Sequence, residues 1–167
     1  PENEYTDLAK NLHGKFINVG NAQNGRLNPF HIITALDDDE AGGSSANSYA
    51  THLQFLEEFF RQILPDCDKD AMEYLNSLVD RMYTNRGITP ETDLSGLRAS
   101  DYPVFDDLYD TILLEFQQTD NEYIRSLLRV LMNYVAKFSS GGRNANIWNG
   151  ASTVTTEENF TVFNFQS

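Results

Sequence analysis

A mainly α fold, a helical bundle of four to five helices set between short β-strands, is what this sequence predicts. Three observations predict it. Four helical stripes follow one another between Tyr49 and Phe138. A charged, Gly- and Ser-rich stretch, Asp37–Ser45, precedes them, and Ser139–Gly142 follows them. Outside those brackets stand two strand candidates, Lys15–Val19 and Thr161–Phe165, rich in β-branched and aromatic residues. Strand, linker, helices, linker, strand is the order expected when a helical module interrupts a sheet domain.

Taken from the N-terminus, Pro1–Leu12 holds a short amphipathic stretch around Tyr5, Leu8 and Leu12, and Asn11 to Gly14 reads as a helix end and turn. Phe16, Ile17 and Val19 make the first strand candidate apolar. Gly20–Asn28 is a Gly- and Asn-rich loop, and Asn28-Pro29-Phe30 is a turn leading into the apolar pair Ile32-Ile33. In Tyr49–Leu64 the residues Tyr49, Leu53, Leu56, Phe60 and Ile63 recur at steps of three and four, which places them on one helical face. Phe55 and Phe59 widen that stripe, so this helix is expected to be buried on more than one side. Ala71, Leu75, Leu78, Val79 and Met82 form the stripe of Ala71–Tyr83. Thr84–Ser100 is a long connection broken by Gly87, Pro90 and Gly96.

Phe105, Leu108, Ile112, Leu113 and Phe116 form the stripe of Val104–Phe116. Ile124, Leu127, Leu128, Leu131, Tyr134, Val135 and Phe138 form that of Tyr123–Phe138. Ser48, Asp68 and Asp101 stand at N-cap positions, and Thr119-Asp120-Asn121-Glu122 fits a capping box. Pro65 and Gly87 stand where helices stop. Asn144–Gly150, with the sole tryptophan Trp148, reads as irregular. The expected organisation is 1–36 as part of an α/β domain, 37–47 as linker, 48–138 as the helical lobe and 139–167 as the return to the sheet.

Composition narrows the function classes. The chain has 167 residues, 40% apolar and 12% aromatic, enough for one folded domain with a real core. Cys67 is the one cysteine, so no internal disulfide forms. No apolar run reaches the roughly eighteen residues of a membrane span. A net charge of −13, with 12 scattered basic residues, argues against direct nucleic-acid binding, which needs clustered Lys and Arg. The chain opens at Pro1 rather than Met, so it is expected to be a fragment or a processed chain. Asp37-Asp38-Asp39-Glu40 lacks the Gly and alternating ligands of a calcium loop. His13, His31 and His52 show no paired ligand spacing, so no metal site is expected. Acids flank Cys67 and raise its thiol pKa, and Ser139-Ser140 lacks a nucleophile-elbow context, so no catalytic residue is assigned.

Several of these segments carry a resemblance. Glu2-Asn3-Glu4-Tyr5, after Pro1, resembles the end of the Asp-Pro-Glu-x-Glu-Tyr segment of the P-loop ATPases of conjugative transfer and type IV secretion. Gly14–Val19 followed by Asn28-Pro29-Phe30 is similar to that family's next strand and turn. Asp101-Tyr102-Pro103 and the leucine-rich helices resemble its all-helical insertion. Asn149-Gly150 and Val162-Phe163-Asn164 resemble the return to the sheet, although many members carry Asp where Asn164 stands.

The resemblance covers nearly the whole chain and rests on the order and spacing of the segments. It implies a bacterial, ring-forming motor at the inner face of the plasma membrane, moving substrate or assembling the secretion channel. It implies ATP and Mg²⁺ in the parent protein. No Gly-x-x-x-x-Gly-Lys-Ser/Thr occurs here, so this fragment is expected neither to bind nor to hydrolyse ATP. By the resemblance Glu4 would lie near the nucleotide; the plainer reading is a solvated carboxylate at a helix start. Arg143, after Gly141-Gly142, would serve as an arginine finger toward a neighbouring subunit, or else as a solvated loop arginine. Expected partners are ring neighbours and secretion-channel proteins. The reading from another class is a stand-alone helical interaction or regulatory domain.

Overall fold

A computed structural model describes residues 25–34 and 44–153. Five α-helices run through them: α1 (Ser44–Ile63), α2 (Lys69–Asn85), α3 (Phe105–Gln118), α4 (Glu122–Val135) and α5 (Ala145–Trp148). Short 3₁₀ turns at Leu94–Gly96 and Ala99–Asp101 break the long connection, and a third, Ala136–Phe138, prolongs α4. The fold is mainly helical, and no strand occurs among the described residues. Both strand candidates, Lys15–Val19 and Thr161–Phe165, lie outside them, as does the run Asp37–Glu40.

Helix boundaries follow local chemistry, and three differ from expectation. Asp68 caps α2 by accepting from the Ala71 amide at 2.9 Å. The same helix closes in a Schellman motif: Gly87 takes φ +80°, with Ile88 N to Tyr83 O and Gly87 N to Thr84 O both at 2.9 Å. Ser48 is not the cap of α1. That helix already runs from Ser44, and Ser48 sits inside it, buried. Asp101 does not cap α3 either. Tyr102, preceding Pro103, is held extended at ψ 150°, so no helix can pass through it. Asp101 instead accepts from the Arg98 amide at 2.7 Å and closes a 3₁₀ turn, while α3 opens one residue beyond Val104. Thr119 belongs to the end of α3, its amide donating to Glu115 O at 3.1 Å. Asn121 is the cap of α4, accepting from Ile124 N at 3.0 Å.

α3 packs on α4, α2 touches both, and α1 leans on α2. The stripe of α2 is wholly buried: Ala71, Leu75, Leu78, Val79 and Met82. Phe55 and Phe59 are buried beside Leu56 and Phe60, as the widened stripe of α1 predicts. Through the centre runs a chain of rings. Trp148 of α5 meets Phe59 at 5.7 Å, Phe59 meets Phe60 at 5.7 Å, and Phe60 meets Phe30 at 6.1 Å. Phe30 sits edge-on to Phe105 at 4.9 Å, and Phe105 stacks on Phe138 at 5.1 Å. Such contacts contribute about 0.5–1.5 kcal/mol per pair beyond area burial. The rings come from both flanks and from the helices between them. One core thus crosses the expected boundaries at residues 36 and 139, with Leu27, Phe30, Ile32 and Trp148 inside it.

Candidate functional site

The two described flanks pair with each other, and the Asn28-Pro29-Phe30 turn lies at that junction. Asn28 is buried. Its Oδ1 accepts from Phe30 N at 3.1 Å, and its Nδ2 donates to Pro103 O at 2.8 Å. The short amide side chain therefore shapes its own turn and ties it to the start of α3. Tyr83 OH of α2 donates to Phe30 O at 2.5 Å.

His52 of α1 clamps the turn from the other side. Its Nε2 lies 2.7 Å from Pro29 O, and Ile33 N donates to its Nδ1 at 3.3 Å. Only a neutral imidazole with its proton on Nε2 satisfies both contacts. Complete burial lowers the pKa of His52 to about 4, against the pull of the Pro29 carbonyl and with a further lowering from nearby His31. His31 stacks on Tyr102, ring centres 4.4 Å apart, and its Nδ1 is buried without a hydrogen-bond partner among the described residues. Burial lowers its pKa as well. Burial, then the charge of Asp101, pushes Tyr102 up to about 12.

A second set of bonds fastens the segment after α4. Asp106, at the start of α3, accepts from Ser140 N at 2.8 Å, Ser140 Oγ at 2.5 Å and Asn149 Nδ2 at 3.0 Å. Its own amide donates to Asn149 Oδ1 at 3.1 Å. Burial pushes the carboxyl of Asp106 upward, but these donors outweigh it and hold the pKa below the usual range. Gly142 is required sterically, since a Cβ there would lie 2.2 Å from Ala136 O and 2.5 Å from Lys137 O. Gly150, at φ +133°, turns the chain against the Arg26 side chain.

The two flanks then pair directly. Thr153 N donates to Arg26 O at 3.0 Å, Arg26 N to Thr153 Oγ1 at 2.8 Å, and Asn28 N to Ser152 Oγ at 2.9 Å. Leu27 N donates to Ile147 O at 3.0 Å. Asn28-Pro29-Phe30, Tyr102-Pro103 and Asn149-Gly150, separate in sequence, therefore meet in space. The junction binds chain to chain and leaves little chemistry free. Sequence reasoning read the Asn-Pro-Phe turn but missed His52 as its fastener and Asp106 as the fastener of the segment after α4. Their signal is a polar residue on or beside an apolar stripe, which does not name its partner.

Of the two residues singled out in the sequence as nucleotide-adjacent, Glu4 lies outside the described residues. Arg143 is exposed on the turn before α5, and its side chain makes no hydrogen bond or ion pair to another described residue. Cys67 is half-buried, its thiol raised by burial and then by Asp68 and Asp66. Among the described residues no group of three or more His, Cys, Asp or Glu is placed to hold a metal ion. No described helix is long and apolar enough to cross a membrane.

No protein-family model matches the sequence, and no curated protein matches it. Among solved structures the chain is similar to VirB4 of Thermoanaerobacter pseudethanolicus, with a TM-score of 0.65 and 21% identity. The likeness covers 79% of this chain and 32% of that one, so the chain spans about a third of that protein's length. At this identity the likeness establishes a shared fold.

Proposed function

We propose that this chain is the all-helical lobe, with its flanking junctions, of a type IV secretion ATPase of the VirB4 kind, and that the lobe makes contacts rather than performing chemistry. The fold shared with VirB4 over 79% of the chain carries this reading. Convergence of the three motif segments on one junction supports it, because an inserted module must leave and re-enter its host at neighbouring points.

Nucleotide chemistry belongs to the parent protein in this reading. The Gly-rich turn at 139–144 does not suit phosphate: Asp106 already occupies the Ser140 amide, and its carboxylate would repel an anion. That turn therefore does not fit the phosphates of a nucleotide, and no step is assigned to it. Contacts with neighbouring subunits in a ring, or with secretion-channel proteins at the inner face of the bacterial membrane, are the proposed role.

The full reading frame tests the parentage. A phosphate-binding Gly-x-x-x-x-Gly-Lys-Ser/Thr upstream of Pro1 and an acidic Mg²⁺-binding strand downstream of Ser167 are expected. A complete frame without them would leave the stand-alone interaction domain as the reading. In the intact protein, deleting residues 44–138 should abolish capture of channel proteins or ring assembly, and retention of both would refute the contact role.

A further inference from the structure

We propose that one flank of α4, with the acidic approach to α2 beside it, docks a cationic protein segment through a small apolar anchor. The inference rests on the reading of the lobe as a contact module and adds the face and the chemistry of its partner. Three large apolar side chains are exposed among the described residues: Leu114, Tyr123 and Val130. Leu114 stands alone on α3. Tyr123 and Val130 are seven residues apart on α4, two turns along one face, and are 54% and 40% exposed. Tyr134, one turn further on, continues that face.

The acidic segment runs alongside. Tyr123 OH donates to Asp70 at 2.5 Å, and Tyr134 OH lies 3.3 Å from Asp66. Within the eight residues 66–73 stand Asp66, Asp68, Asp70 and Glu73, with Lys69 the one cation. None of these four carboxylates has a cationic side chain at ion-pair distance among the described residues, whereas Glu58, Asp101, Asp107, Glu115 and Glu122 elsewhere do. Lys137, three residues after Tyr134 on the same face, lies over its ring, 5.0 Å from the centre, so two cations, Lys69 and Lys137, stand beside the four carboxylates. Clustered negative charge at an apolar patch selects for a partner segment bearing Lys or Arg around an apolar side chain. It repels nucleic acid and anionic lipid.

Calorimetric titration of the whole chain with a synthetic amphipathic peptide of lysine and leucine, and with its glutamate-for-lysine counterpart, tests the proposal. One-to-one binding of the lysine peptide alone is expected, weakening as salt rises past about 0.15 M, where the Debye length is about 8 Å. The double variant Tyr123→Ser/Val130→Ser should bind about tenfold more weakly, the scale of an interface anchor. Asp66→Asn/Asp70→Asn should weaken binding and flatten the salt dependence. Glu91→Gln/Asp93→Asn, on the exposed loop before Leu94, should change nothing. Absence of binding, or equal losses in the loop variant, overturns the proposal. So does concentration-dependent dimerisation that the Tyr123/Val130 variant abolishes, since a second copy would then be the occupant. None of these outcomes bears on whether a nucleotide motif precedes Pro1, so the parentage stands or falls separately.

Discussion

Replacing Asn28 by alanine removes two hydrogen bonds from a site with almost no solvent access. Phe30 N loses its acceptor and Pro103 O loses its donor, at 3.1 and 2.8 Å in the native chain. Asn28 and Phe30 are 1% and 0% exposed, so water cannot readily replace either bond. A buried polar group left unpaired costs about 1–3 kcal/mol, and partial relaxation of the turn brings the expected total to about 2–4 kcal/mol. That is a large share of the roughly 5–15 kcal/mol by which domains are stable. For a chain of this size it corresponds to a fall in melting temperature of roughly 4–16 °C.

Urea unfolding followed by circular dichroism measures the change, with the denaturant slope expected to stay constant. Asn28→Asp gives a second reading. The carboxylate still accepts from Phe30 N but faces the Pro103 carbonyl with no proton to donate. Its stability should recover as the pH is lowered enough to protonate it. An alanine variant within about 0.5 kcal/mol of wild type would refute the reasoning, because exposed substitutions commonly fall in that range.

Three further outcomes are expected. His52 titrates near 6.5 in the unfolded chain and at about 4 when folded, so on acidification the unfolded state takes up the proton first. Stability from this group is full above pH 6.5 and drains as pH falls toward 4, by about 3 kcal/mol at most; His52→Gln should flatten the pH profile of the urea midpoint in that window. Gly142→Ala drives a methyl into the Ala136 and Lys137 carbonyls and should cost about 1–3 kcal/mol, whereas Gly141→Ala meets nothing within 4 Å and pays only for its φ of +85°, about 1 kcal/mol. Comparative thermal melts of the two decide this. Asp68→Ala should lose about 1 kcal/mol with its cap, while Thr119→Ala should change stability by less than about 0.5 kcal/mol, because Asn121 holds the α4 cap; equal losses would reverse that assignment.

Helical existence was legible because a long apolar stripe has few other uses. Leu75, Leu78, Val79 and Met82 recur at helical spacing, and burial of that face follows from water alone. Cap positions were harder to read, since several acceptors sit near each start. Asp101 lost to Val104 because Pro103 holds Tyr102 extended, and Thr119 lost to Asn121 because α3 ran on to Gln118. The short helix Ala145–Trp148 lay in a stretch read as irregular. Four residues carry no periodicity, and that turn is held by Trp148 packing on Phe59 and by the bonds of Asn149 to Asp106.

By itself the sequence determined four amphipathic helices, an acidic surface, and the lack of a phosphate-binding loop within this chain. Those are properties of spacing and composition, which act locally. Tertiary structure alone decided that Asn28, His52, Pro103, Asp106 and Asn149 belong to one junction. A hydrogen bond between residues 75 or 43 positions apart leaves no periodic trace along the chain. Its partners are chosen only when packing brings them within about 3 Å and withdraws the water that would otherwise satisfy them.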